Sequence, residues 1–277
     1  MRPLEGQKIA LLESRKAADI AAMVQRFGGT PICVPSVREV LRDADLQPLL
    51  TRITDRGFDL VVALTAAASD ALFSEADRHN ALDGVIAALK DTTLACRGPK
   101  PMLSLKRRGL TAQVVTEKPH TIDELLDALT KVDVRGARVL LLHYGEHSDV
   151  LSAALIDCGA NVEDLCLYDW ALPEDLAPLE TLVKDTLAGR IDVMLFTSQI
   201  QLRHLMQVAA AMELSTPLTH ALRDHVIVGS VGPVCSRALR ASGIVPDVMP
   251  HTPNGPSLIQ AVADYVSMFE DRAITSE

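Results

Sequence analysis

Short patterns of this chain recur after about 130 residues, and this repeat is the strongest constraint on what the chain can fold into. Lys8–Leu12 returns as Arg138–Leu142, and each copy is followed by a helical pattern and a glycine. Further pairs occur in the same order in both copies: Leu60–Thr65 with Asp192–Thr197, Gly98–Pro99 with Gly232–Pro233, Gly109 with Gly243, and Pro119 with Pro253. Self-similarity over such a period indicates a repeated architecture.

The repeat predicts two similar α/β domains with parallel sheets, because short β-branched or leucine runs alternate with longer helical patterns. Two domains without a cofactor motif commonly bind their ligand in the cleft between them. The order of the copies leaves two arrangements open. The domains are either sequential, at 1–130 and 131–277, or interleaved, with the two chain ends in one domain and the middle in the other.

Hydrophobic periodicity predicts the individual elements. In the first helix, Ile20, Val24 and Phe27 follow helical spacing, and Gly28 ends the helix. Strands are predicted at 8–12, 32–34, 59–64, 93–96, 112–115, 138–142, 164–168, 191–196, 225–229 and 245–249. Helices are predicted at 17–27, 66–74, 121–130, 148–157, 199–212, 233–241 and 256–269.

Composition excludes several classes of function. The formal net charge of −9 argues against a nucleic-acid partner, since such a surface needs a basic face. No apolar stretch reaches the ~18 residues of a membrane span, and the first residues lack a secretory pattern, so we expect a cytoplasmic protein without membrane association. The five cysteines form no CxxC pair and are expected to stay reduced.

Ligands of open α/β sheets bind at the carboxyl ends of the strands, where loops lead into helix N-termini. Free backbone N–H groups and the helix dipole make such places suitable for anions. Six loops are therefore candidates for a site: Glu13–Lys16, Thr65–Ala67, Arg97–Pro101, His143–Glu146, Thr197–Gln199 and Ser230–Pro233.

Several of the candidate residues also have a purely structural interpretation. Thr65, Thr197 and Ser198 have the residue types of ordinary helix N-caps. Arg15, like Lys16, can be a solvated charge, although a cation at a helix start is mildly unfavourable. Arg97 and Lys100 flank Gly98-Pro99 and are hard to explain by packing.

The motifs of several catalytic classes are missing from the sequence. There is no GxGxxG after the first strand, no Walker-type GxxxxGK[ST] and no GxSxG, so we expect neither a nucleotide cofactor nor a hydrolase nucleophile. His143 and His147 have i,i+4 spacing, but the sequence around them offers no carboxylate ligand set, and no metal site is predicted.

The duplicated pattern resembles uroporphyrinogen-III synthase over nearly the whole chain. The segments that carry the resemblance are Cys166–Tyr168, Val193–Ser198, Gly229–Pro233 leading to Arg237–Leu239, and Pro246–Pro250. The family fold implies the interleaved arrangement. Residues 1–36 and 172–277 would form one domain and residues 39–169 the other. Two crossing strands would join the domains, with hinge segments at 36–39 and 169–173.

The resemblance also implies a reaction. The family converts linear hydroxymethylbilane into uroporphyrinogen III and inverts the last pyrrole ring through a spiro intermediate, in the cleft between the domains. Loss of the hydroxyl as water gives an azafulvene, so the substrate supplies both electrophile and nucleophile. The protein then acts by positioning and electrostatics, as a cofactor-free lyase of tetrapyrrole and heme biosynthesis. We expect it to act as a monomer.

Tyr168 matches the family's tyrosine near the domain junction and is the candidate proton donor to the leaving hydroxyl. The implied substrate contacts are Arg15, Thr65, Arg97, Lys100, Thr197, Ser198, Gly232 and Ser236. The chain departs from the family where Glu13-Ser14-Arg15 replaces Thr-Arg-Pro and where Cys235 replaces a threonine. These departures keep a second function open, a tetrapyrrole- or anion-sensing regulatory protein without catalysis.

Overall fold

The structure, a computed structural model, describes residues 2–14, 17–41, 45–145 and 147–274. Its strands, in chain order, are β1 (Lys8–Leu11), β2 (Thr30–Cys33), β3 (Arg38–Leu41), β4 (Leu60–Ala63), β5 (Thr93–Cys96), β6 (Val114–Val115), β7 (Arg138–Gly145), β8 (Asn161–Ala171), β9 (Val193–Phe196) and β10 (Ile227–Ser230). Its helices are α1 (Ala17–Arg26), α2 (Gln47–Thr54), α3 (Ala66–Arg78), α4 (Leu82–Lys90), α5 (Pro99–Arg107), α6 (Ile122–Leu129), α7 (Asp149–Asp157), α8 (Ala177–Leu187), α9 (Gln199–Ala211), α10 (Ser215–Asp224), α11 (Pro233–Ala241) and α12 (Gly255–Ile274).

The chain divides into two compact units, and each has its own sheet. Unit 1 comprises Met1–Arg38 and Ala171–Glu277, and unit 2 comprises Glu39–Trp170. The sheet of unit 1 has the order β10-β9-β1-β2. The second sheet has the order β3-β8-β7-β4-β5-β6. The pairings whose register is resolved are all parallel, which agrees with the predicted α/β class.

The two units share the same succession of neighbouring strands. The order β2-β1-β9-β10 in unit 1 corresponds to β8-β7-β4-β5 in unit 2. In both units an aspartate side chain also accepts a backbone N–H at the start of a neighbouring strand. Asp192 accepts that of Lys8 at 2.7 Å, and Asp59 accepts that of Arg138 at 2.9 Å. Hydrogen bonds from the Arg138 side chain are the main reason that the pKa of Asp59 falls to about 2.

Each sheet is buried on both faces, as expected for parallel strands. In unit 1, Ala10 and Met194 pack with α8, α9, α10 and α11, whereas Ile9 and Leu195 on the other face pack with α1 and α12. In unit 2, one face packs with α2, α3, α4 and α5, and the other packs with α6 and α7. Both units are therefore three-layer structures.

Two predicted strands differ from the structure. The segment 245–249 makes only an isolated bridge, between Val248 and Gly229, because Pro246 and Pro250 have no N–H to donate to a ladder. The strand predicted at 112–115 shrinks to the two residues of β6. Among the described residues, no helix combines the length and apolar character needed to cross a bilayer.

Candidate functional site

In unit 1, a hydrogen-bond network joins the loops that follow β1 and β9. The Thr197 hydroxyl donates to Glu13 Oε2 at 2.6 Å and accepts from Gln201 Nε2 at 2.9 Å. The backbone N–H of Thr197 donates to Gln201 Oε1 at 2.7 Å, and that of Ser198 donates to the same oxygen at 3.3 Å. The start of α9 is thus capped by a glutamine of its own first turn.

This network changes what the two hydroxyl residues offer to a ligand. The single hydroxyl proton of Thr197 is directed at Glu13, so that hydroxyl cannot also donate to a substrate carboxylate. The N–H groups of Thr197 and Ser198, which a helix start would otherwise present to an anion, are also bonded. The contact roles of Thr197 and Ser198 stay predictions. Arg15, the other residue expected at this end of the sheet, lies outside the described residues.

The loop between β10 and α11 is arranged differently. Ser236 is 1% exposed, and its hydroxyl donates to Ser230 Oγ at 2.9 Å, so a ligand would reach Ser236 only after the loop moves. The backbone N–H groups of Gly232, Val234 and Cys235 have no acceptor within the described part of the chain. Pro233, the first residue of α11, contributes no N–H. Gly232 is the N-cap of α11, and this helix start has several N–H groups available to an anion.

In unit 2, the loops after β4 and β5 carry three of the predicted contacts. Thr65 is the N-cap of α3 and accepts the Ala68 N–H at 3.0 Å, which confirms its interpretation as a cap. Lys100 is exposed in the first turn of α5, and its neighbours Pro99 and Pro101 have no N–H. At this helix start an anion can be bound by the Lys100 ammonium group but not by a continuous row of backbone N–H groups.

Arg97 follows β5 directly, and its backbone N–H donates to Ala63 of the neighbouring strand at 3.1 Å. Its guanidinium is partly buried, and desolvation lowers the pKa of Arg97 from its usual range. Among the described residues it has neither an ion pair nor a side-chain hydrogen bond. The guanidinium is only partly buried, and no buried side-chain nitrogen or oxygen of the described residues lacks a partner, so Arg97 is open to solvent and can pair with an anion that a ligand brings.

Tyr168 lies near the carboxyl end of β8, and its side chain is partly buried against the core that includes α2, α3, α4 and α5. The parallel pairings β8-β7-β4-β5 bring the ends of these four strands to one edge of the sheet. The structure therefore places Tyr168, Thr65 and Arg97 at the same edge of unit 2. Tyr168 makes further interactions with the protein.

The expectation that no carboxylate accompanies His143 and His147 is wrong. Asp164 on β8 reaches His143, with 2.5 Å between Asp164 Oδ1 and His143 Nε2. Burial lowers the pKa of His143, and the hydrogen bond to Asp164 opposes that shift. The sequence hides this contact because the two residues are 21 positions apart and meet only through the β7–β8 pairing.

Gly145 ends β7 in a conformation that a side chain would not tolerate. Its φ is +79°, and a Cβ there would come within 2.1 Å of Cε2 in the Trp170 ring on β8. Gly136 has a similar φ of +70°, but no atom lies within 4 Å of the position that a Cβ would take there. The two glycines therefore separate the cost of the backbone conformation from the cost of the contact.

We expect Gly136→Ala to lower the free energy of unfolding by about 1–2 kcal/mol, the cost of a left-handed conformation. Gly145→Ala should lose about 1–3 kcal/mol more, because the methyl group also displaces the indole of Trp170. Urea unfolding followed by circular dichroism measures both values. Equal losses in the two variants would show that Trp170 does not restrict this position.

Comparison with known proteins assigns the fold to a family. The family described as "Uroporphyrinogen-III synthase HemD" matches residues 18–260. The chain belongs to the uroporphyrinogen-III synthase family. This membership confirms the resemblance on which the site residues were predicted.

Two relatives of this synthase-family chain cover nearly all of it. A Bacillus subtilis protein, "Uncharacterized protein YjjA", is 27% identical over 95% of this chain and 97% of its own length. A Methanothermobacter thermautotrophicus protein named "Putative uroporphyrinogen-III synthase" is 31% identical over 92% of this chain and 96% of its own. The crystal structure of a mutant uroporphyrinogen III synthase from Thermus thermophilus is similar with a TM-score of 0.75, at 25% identity, over 98% of this chain and 100% of that one.

Proposed function

We propose that this protein is a uroporphyrinogen-III synthase that closes hydroxymethylbilane with inversion of the last pyrrole ring, as a cytoplasmic step of tetrapyrrole biosynthesis. The observation that carries the proposal is Arg97, a partly buried guanidinium without an anionic partner among the described residues. A guanidinium without an anionic partner suits a substrate that carries carboxylates, because the planar group binds a carboxylate in a bidentate manner. The family supplies the identity of that polycarboxylate.

The loop at the start of α11 supports the same substrate class. Three backbone N–H groups there, of Gly232, Val234 and Cys235, have no acceptor within the described residues. Buried N–H groups without a partner are rare in proteins, and Gly232 is buried. A carboxylate bound at this loop would satisfy them and would also gain from the helix dipole. Each unit, taken by itself, therefore has an element suited to a carboxylate: Arg97 in unit 2 and the start of α11 in unit 1.

Tyr168 is the proposed proton donor to the departing hydroxyl. Loss of water from the substrate gives an azafulvene, and attack at a substituted carbon of the last ring gives the spiro intermediate. Fragmentation and renewed closure complete the inversion. The substrate provides both reacting carbons, so the protein contributes a proton at Tyr168 Oη, binding of carboxylates and stabilisation of cationic intermediates.

The experiment that tests the proposal supplies hydroxymethylbilane from the preceding enzyme to the purified full chain. The product is oxidised, and its type I and type III isomers are separated and quantified. A synthase yields mainly the type III isomer, whereas spontaneous closure yields the type I isomer. Type I alone would show that this protein does not catalyse the inversion.

Arg97→Gln should separate a substrate contact from a structural residue. We expect KM for hydroxymethylbilane to rise about tenfold or more, because a charge-assisted contact is lost. The free energy of unfolding should stay the same or increase, since a desolvated charge is removed. Lys106→Gln, at an exposed position of α5, changes the net charge by the same amount and should leave KM unaltered. A destabilised Arg97→Gln variant with normal KM would identify Arg97 as a structural residue.

Glu13 favours a second candidate function. Glu13 follows β1 by two residues, and its carboxylate accepts a hydrogen bond from the Thr197 hydroxyl. The family pattern has Thr-Arg-Pro where this chain has Glu13-Ser14-Arg15, so only the arginine is retained. A regulatory protein that binds a tetrapyrrole or another anion without turnover would be compatible with this change. In the isomer assay, such a protein would bind hydroxymethylbilane and leave the product as type I.

A further inference from the structure

Two histidines and one aspartate of unit 2 form a compact cluster beside the end of β7. His143 lies on β7, Asp164 lies on β8, and His147 lies in the loop before α7. One ligand atom of each side chain can be chosen so that all three atoms lie within 4.8 Å of one another. The rings of His143 and His147 are 5.0 Å apart between centroids.

The strand register explains why the cluster forms. In the parallel β7–β8 pair, Leu141 is opposite Asp164 and His143 is opposite Cys166. Opposed residues point to the same face, and so do residues two positions apart, so His143 and Asp164 share one face of the sheet. Helix α7 packs on this face, and its Ser152 donates to Asp164 Oδ1 at 2.8 Å. The aspartate is therefore held by two neighbours.

Burial changes across the cluster from a closed side to an open side. The His143 side chain is 0% exposed and that of Asp164 is 30% exposed, whereas His147 is an exposed residue. An ion held by these groups would have a fixed protein ligand behind it and solvent in front of it. Water can occupy the remaining coordination positions, as it does in zinc sites with three protein ligands.

We propose that His143, His147 and Asp164 form a binding site for a borderline divalent transition metal such as Zn²⁺. Two imidazole nitrogens and one carboxylate oxygen suit Zn²⁺, Ni²⁺ or Cu²⁺ better than Mg²⁺ or Ca²⁺, which prefer oxygen ligands alone. The ion takes the position of the hydrogen between His143 Nε2 and Asp164 Oδ1. This site is separate from the proposed synthase chemistry, which uses no metal.

Binding requires two local adjustments. His143 now accepts the Ser148 backbone N–H at Nδ1, with an N–N distance of 3.2 Å, and bonds Asp164 through Nε2. When the metal occupies Nε2, the ring hydrogen moves to Nδ1 and the Ser148 contact is given up. His143 Nε2 and Asp164 Oδ1, now 2.5 Å apart, must separate and the His147 ring must approach, until the ligand atoms lie about 3.3 Å from one another, as bonds of about 2.0–2.1 Å to a tetrahedral zinc require. Since His147 is exposed, its ring can make most of this movement.

The test is a zinc titration of the full chain after treatment with a chelator and desalting. Isothermal calorimetry with ZnCl₂ should show one equivalent bound by the wild-type protein. His147→Ala, which changes an exposed side chain, should weaken this binding at least about tenfold, as should Asp164→Asn. His79→Ala removes another exposed histidine of unit 2 and serves as the matched control, with unchanged binding.

Two further measurements keep the outcome clear. Saturating zinc should raise Tm of the wild-type and His79→Ala proteins but not of His147→Ala, because an ion that binds only the folded state stabilises it. X-ray absorption of the zinc complex should show two imidazole ligands with oxygen completing the shell. Absence of a bound equivalent, or equal binding by His147→Ala, would overturn the proposal. The isomer assay is unaffected by either result, so the synthase function is tested independently.

Discussion

Phe196→Ala is expected to lower the free energy of unfolding by about 3–5 kcal/mol, the usual cost of deleting a fully buried aromatic ring. Phe196 is 0% exposed on β9 and packs in the core formed with α8, α9, α10 and α11. Its backbone carbonyl also accepts the Val231 N–H at 2.9 Å, which connects β9 to the loop before α11. Phe196 therefore directly precedes the loop with Thr197 and Ser198 and is hydrogen-bonded to the loop before Gly232.

Urea unfolding of the full chain, followed by far-ultraviolet circular dichroism, measures this effect. The fluorescence of the single tryptophan, Trp170, which packs against the core of unit 2, should be recorded in parallel. Leu103→Ala removes an apolar side chain that is 55% exposed and should change stability by less than about 0.5 kcal/mol. A loss below about 1 kcal/mol in Phe196→Ala would contradict the close packing of this core.

Tyr168→Phe is expected to lower kcat for formation of the type III isomer about 100-fold, in line with the loss of a general acid. The ring stays in place, so its packing against the unit 2 core is retained and Tm should change little. KM should also change little, because the proposed role of the hydroxyl is confined to the transition state. The rate is measured as type III isomer formed from hydroxymethylbilane at saturating substrate.

Tyr265→Phe is the matched control, since it removes a phenol hydroxyl from α12 in unit 1. Its kcat should equal that of the wild-type protein. A normal kcat in Tyr168→Phe would remove Tyr168 from the mechanism. A marked fall in the Tm of Tyr168→Phe, with kcat per folded molecule unchanged, would show that the tyrosine hydroxyl is needed for stability only.

Most strands could be predicted from sequence because their apolar runs are short and bounded by turns. β1, β4, β5, β7, β9 and β10 all fall within the predicted ranges or overlap them closely. The strand at 245–249 could not form because Pro246 within it and Pro250 directly after it have no N–H to donate. β8 continues to Ala171, beyond the predicted end, and its last residues are only partly buried, so they carry no strong apolar signal.

The candidate site was less accessible from sequence than the fold. Thr65 could be predicted as a cap because a cap depends on neighbouring residues alone. The Glu13–Thr197 contact joins residues 184 positions apart, and it depends on the pairing of β1 with β9. Asp164 likewise meets His143 only through the β7–β8 register. Gln201 could have been expected from its place three residues after Ser198, which is the spacing of a capping box.

Register also decides which predicted residues can act on a ligand. A hydroxyl residue looks the same in sequence whether its proton is free or directed at a carboxylate, as that of Thr197 is. An arginine looks the same whether it is paired or, like Arg97, partly buried without a partner among the described residues. The two cases differ only in which residues from distant parts of the sequence lie beside the side chain in the folded protein. These neighbours are what the folded structure adds.

The type III fraction of the product measures the central claim most directly. Hydroxymethylbilane, produced at a fixed rate by the preceding enzyme, is supplied to increasing amounts of the full chain, and the oxidised isomers are separated. The proposed synthase raises the type III fraction with protein concentration until type III is nearly the only product, and Arg97→Gln needs more protein to reach the same fraction. A product that stays type I at every protein concentration would contradict the proposed function.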